Sequence, residues 1–115
     1  ARISCLKVLV KIAALEKYHS LPMQLNKIIN LCLNDDDPEV ILITVCLLRQ
    51  LGKLGLPFLI RASRDKNILL AKASVTAIGE INDVLARNCL RELLEEECID
   101  ELIRESVEYA LVTQN

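Results

Sequence analysis

The sequence predicts an all-α fold, a repeat array of about seven helices in which one helix-turn-helix unit stacks on the next. Three observations carry this. The chain is 52% apolar, built from Leu, Ile, Val and Ala, with one Phe, two Tyr and no Trp. Three Gly and three Pro in 115 residues leave little material for hairpins, and no useful run alternates apolar with polar. Helical apolar runs also recur. Superposing Val40, Leu70 and Leu102 brings Thr44, Ser74 and Ser106 into register, at spacings of 30 and 32 residues. A small residue recurring where helices cross, at a period of about 20 to 50 residues, marks a solenoid whose units bury their faces against their neighbours.

The first helix is expected over residues 2–17. Ile3, Leu6, Leu9, Val10 and Ala13 form its stripe, which Val8, Ile12 and Leu15 widen nearly all round, so it calls for cover on more than one side. Tyr18, His19 and Ser20 make a turn, and Pro22 suits the first position of the next helix, where its missing N–H costs nothing. Leu25, Ile28, Ile29 and Cys32 give that helix one buried face. Asp37 is a good N-cap, Pro38 follows at the first helical position, and Glu39 suits the helix dipole. The helix from Pro38 to Leu51 is apolar on almost every side, the mark of a helix inside a stack. Gly52 and Gly55 permit a tight turn into a short helix over 57–63. Asn67 caps a helix over 68–78 that Gly79 is expected to end. Asn82 and Asp83 start another to about Glu96, with Leu85, Ala86, Cys89, Leu90 and Leu93 inward. A seventh spans 99–113, with Ile99, Leu102, Ile103, Ser106, Val107, Ala110 and Leu111 as its stripe.

The net charge of −2 is unevenly spread. Residues 1–91 carry 13 basic against 8 acidic side chains, whereas 92–108 carry 8 acids and only Arg104. The C-terminal surface is acidic beside a mildly basic body. Cys5, Cys32, Cys46, Cys89 and Cys98 are odd in number, widely spaced and without a Cys-x-x-Cys pair. They read as small buried hydrophobes in a reducing, cytoplasmic compartment. No apolar run reaches the roughly 18 residues of a membrane span. No signal-peptide pattern opens the chain, and the missing initial Met points to a segment of a longer protein.

The run Asp36-Asp37-Pro38-Glu39-Val40, then Leu51-Gly52, Leu56-Pro57 and Ile78-Gly79-Glu80-Ile81, resembles HEAT repeats, above all the short variety named after phycobilisome lyases. The resemblance covers about residues 21 to 112. It implies a right-handed, HEAT-like, armadillo-like α-solenoid of antiparallel helix pairs, with the second helix of each pair lining a concave surface, and no single activity. Basic residues usual after the motif valine are replaced by Ile41 and Leu42, while Lys72 and Arg104 keep one in the other units. The expected organisation is a single repeat domain over 1–115, with approximate repeats at 1–34, 35–66, 67–97 and a partial 98–115.

Catalysis finds little to work with. His19 is the one histidine, so the His-Glu pairs of HEAT-like iron hydroxylases are lacking. Cysteine spacings of 27, 14, 43 and 9 make no zinc set, and Asp35-Asp36-Asp37 lacks the alternating ligands and Gly of a calcium loop. No cofactor or metal is expected, and a bilin attachment cysteine or a bilin-lyase-like or regulatory role is the weakest analogy. Arg61, Arg64, Arg87, Asn88 and Arg91, on successive second helices, are the candidate partner-binding residues. The first reading is a non-catalytic protein-interaction or scaffold module, with self-association through the terminal helices as a corollary. The alternative is a phosphate-contacting nucleic-acid stripe, against which stand a pI of about 5.4, scarce aromatics for base stacking, and Glu92, Glu95 and Glu96 on the same helix. The acidic run from Glu95 to Glu101 is a solvated helix start or a docking patch for a basic partner.

Overall fold

The computed structural model describes residues 23–97 and 99–113. Among them are six α-helices, one 3-10 turn and no strand: α1 (Met23–Leu33), α2 (Pro38–Leu51), the 3-10 turn (Gly52–Leu54), α3 (Leu56–Ala62), α4 (Ile68–Glu80), α5 (Val84–Glu95) and α6 (Glu101–Thr113). The helix expected over 2–17, His19, Cys5 and Cys98 lie outside the described residues. The all-α solenoid is present: first helices α2, α4 and α6 stack side by side, and α3 and α5 pack behind them.

Each first helix begins with the same device. Asp37 is extended and its Oδ1 accepts from the N–H of Glu39 at 2.9 Å. Asn67 accepts from the N–H groups of Leu69 and Leu70, and Asp100 from Leu102 at 2.9 Å. Two residues earlier, the Oδ1 atoms of Asp35 and Asp65 accept from the N–H groups of Asp37 and Asn67. These side chains satisfy amide donors that have no partner inside the helix. They also index the repeat, Asp37, Asn67 and Asp100 standing 30 and then 33 residues apart.

The second spacing corrects the register drawn from Leu102 and Ser106. Leu102 is 50% exposed, and Ile103 and Val107 take the buried places held by Leu70 and Ser74. The longer repeat has a local cause: α5 has 12 residues where α3 has 7, while the turn before it is shorter. Thr44 and Ser74 are both fully buried, as the spacing of 30 predicts.

α4 is the centre, touching α2, α3, α5 and α6. It buries Leu70, Ala71, Ser74, Val75, Ala77, Ile78 and Gly79. Gly79 does not end the helix, which runs on to Glu80 before Ile81 turns extended. Its role is packing: a Cβ at this position would lie 2.6 Å from the Cβ of Ala110, so its bare backbone lets α4 and α6 cross closely. Gly52 does act as a turn residue, with φ of 61° and its N–H bonded to Arg49 O, a region that L side chains rarely adopt. On α5, Ala86, Cys89, Leu90 and Leu93 are buried, but Leu85 is 64% exposed, not inward. It lies in the first turn of α5, at the rim of a groove shared with Leu56, Pro57 and Ile60 of α3.

Three outcomes follow. Gly79→Ala normally gains about 1 kcal/mol of helix propensity, but overpacking costs about 1–3 kcal/mol. Net destabilisation is therefore expected in denaturant unfolding, with a larger loss for Gly79→Val. Asn67→Ala removes a cap and should cost about 1 kcal/mol in the same assay. Mass spectrometry after brief alkylation of the native chain should find exposed Cys46 modified well before buried Cys32 and Cys89.

Candidate interaction surface

α3, the turn after it and α5 carry the five candidate residues, and their surroundings divide them. Arg61, in the last turn of α3, places its guanidinium 5.5 Å from the centre of the Phe58 ring. That cation–π contact holds it in a cleft toward α1 with Asn30, Leu33, Asn34 and Leu70. Arg64, just beyond α3, faces the other way, into a cleft of about 310 Å³ floored by Ala71, Leu93 and Ile103. There its Nε bonds Glu96 Oε1 at 2.9 Å and its other nitrogen stands 2.8 Å from the same atom. Partial burial works against its charge, but the bond to Glu96 and that carboxylate's charge raise its pKa above the ordinary arginine value. Arg64 is thus a structural cation before it is a contact residue.

Arg87, Asn88 and Arg91 line neither cleft. They lie within two turns of α5, Asn88 and Arg91 exposed and Arg87 half-buried. One turn nearer the helix start, Val84 and Leu85 close a groove of about 370 Å³ with Leu56, Pro57 and Ile60 of α3. Val84 is 69% exposed. The second-helix surface therefore offers an apolar groove continued along α5 by two arginines and an asparagine, while Arg61 and Arg64 stand apart from it.

Sequence reasoning missed the groove and the ion pairs. Arg49–Glu80 at 2.6 Å, Lys53–Asp83 at 3.8 Å and Arg64–Glu96 at 2.8 Å each join neighbouring repeats. The two arginine pairs span 31 and 32 residues, so opposite charges at the repeat spacing were the available signal. The two arginine pairs, about half exposed, add little stability singly, but all three link one repeat to the next.

Cys89 sits beneath Arg64. Burial pushes its thiol up from the ordinary value, against the opposing pull of Arg64, which leaves it a protonated, weak nucleophile. Among the described residues no group of three or more His, Cys, Asp or Glu side chains is placed to hold a metal, and no helix is long and apolar enough to cross a membrane.

Comparison with known proteins agrees with this architecture. No curated protein and no solved structure matches the chain. The profile of HEAT repeats matches residues 25–112, which span all or nearly all of each described helix. The chain belongs to the HEAT-repeat family.

Proposed function

We propose that the chain is a non-catalytic protein-interaction module, one segment of a longer cytoplasmic scaffold or regulatory protein, with approximate repeats at 1–34, 35–66, 67–97 and 98–115. The observation that carries this reading is the mixed surface of α3 and α5. An apolar groove of Leu56, Pro57, Ile60, Val84 and Leu85 adjoins Arg87, Asn88 and Arg91. Arginines beside a desolvating apolar pocket are the usual anchors of protein interfaces. Arg61 adds a separate cation in the cleft toward α1, and Arg64 contributes by linking the repeats through Glu96. The resemblance to the phycobilisome-lyase variety adds a repeat length and a helix arrangement, not a pigment activity.

A nucleic-acid partner is the lesser reading. Phosphate binding needs cations free of nearby acids, yet Arg64 is paired and Glu92 and Glu95 share α5 with Arg87 and Arg91.

Capture from cell extract, with the chain as bait, tests both. A specific protein should be retained after nuclease treatment. The double variant Arg87→Glu/Arg91→Glu should retain about ten-fold less of it, the scale of an interface anchor, with helical circular dichroism unchanged. Retention unaffected by the double variant removes these arginines from the interface. Capture that nuclease abolishes makes the basic face a nucleic-acid surface instead.

A further inference from the structure

α6 carries a second surface of opposite character. Leu102 is 50% exposed, and Tyr109 and Val112 are each 71% exposed. With Glu105 they fall at positions i, i+3, i+7 and i+10 of α6, the spacing of a seam that receives another helix. Glu101 and Glu108, both exposed, flank the seam one residue before Leu102 and Tyr109. Among the described residues no ion pair involves Glu101, Glu105 or Glu108. Arg104, the nearest cation in sequence, is half-buried on another side of α6, directed at the carbonyl oxygens of Leu94 and Glu96 at 3.5 Å. The seam carries three apolar side chains and Glu105 along its line and two more carboxylates at its edge, with no basic partner among the described residues.

Charge decides among occupants. A second copy of this seam would set the same three carboxylates against themselves, and like charges across an interface oppose association. A further repeat stacked on α6 as α6 stacks on α4 would meet Arg104 and Glu108. At the spacing of 33 these hold the places of the buried Ala71 and Val75. An anionic surface, nucleic acid or acidic membrane, is repelled. We propose that the exposed face of α6 docks a basic amphipathic helix of a partner protein, its apolar stripe on Leu102, Tyr109 and Val112 and its Lys or Arg side chains against Glu101, Glu105 and Glu108. This rests on the interaction-module reading and names a second contact face distinct from α3 and α5.

The probe is a labelled peptide helix as long as α6, with Leu along one face and Lys on its flanks. It is titrated into the full chain by fluorescence anisotropy beside a twin carrying Glu for Lys. The basic peptide should bind saturably and at least ten-fold more tightly than its twin. Tyr109→Ala, at an exposed position, should weaken binding at least five-fold without changing the helical spectrum. Glu101→Gln/Glu105→Gln/Glu108→Gln should remove most of the salt dependence. Equal binding of the twins, binding indifferent to Tyr109→Ala, or a concentration-dependent dimer that Tyr109→Ala abolishes overturns the proposal. The two readings fail separately. A Tyr109→Ala bait that captures the same protein as the natural chain, with no preference for the basic peptide, removes the α6 site and leaves the module standing. Empty capture by both baits removes the module.

Discussion

The structure depends on how closely α4 lets its neighbours approach. This helix presents Gly79 to Ala110, and buries Ala71, Ser74, Val75 and Ala77 among its other neighbours. Small side chains turn a helix into a smooth rod, and two such rods cross at a distance that larger residues forbid. Everything beyond α4 inherits its position from that crossing. α6 lies where Ala110 meets Gly79, and α5, packed against both α4 and α6, presents its outer face at an angle the crossing dictates. The candidate groove between α3 and α5 is a consequence of the same stack.

Legibility in the sequence followed the range of the interactions. The caps at Asp37, Asn67 and Asp83 and the reversal at Gly52 act over two or three residues, and they were readable. Gly79 was misread because a glycine inside a crossing and one ending a helix look alike in one dimension; only Ala110, 31 residues on, tells them apart. The register of α6 slipped by one residue for a related reason. Leu102 and Ile103 are adjacent apolar residues, and choosing between them needs the cap at Asp100 and the length of α5. Periodicity puts Leu85 inward, yet it stands 64% exposed at the rim of an open groove between α3 and α5, a gap that periodicity along one helix does not register.

The site was less legible than the fold. Placing Arg61, Arg64, Arg87, Asn88 and Arg91 on second helices needed only helix boundaries. Their division did not follow from them: Arg61 stacks on Phe58 and Arg64 is taken by Glu96, partners that a linear reading gives no reason to prefer. Even so, opposite charges one repeat apart, Arg49 with Glu80 and Lys53 with Asp83, repeat the pattern of Arg64 with Glu96. In a stacked array, residues separated by one period are lateral neighbours, so charge should be read at that period as it is read at i+4 along a helix.

Once those bridging pairs are set aside, the remaining charges differ by helix. Arg87 and Arg91 share α5 with Glu92 and Glu95. On α6, by contrast, Glu101, Glu105 and Glu108 stand with Arg104 turned to backbone carbonyls. Both helices expose apolar side chains. An apolar face with arginines on one layer and an apolar face with carboxylates on the next differ in the chemistry they present. As the proposed docking surfaces they would be held in fixed relation by one stack, as a scaffold requires. The α4–α6 crossing sets that relation, so Gly79 shapes the spacing of the two faces.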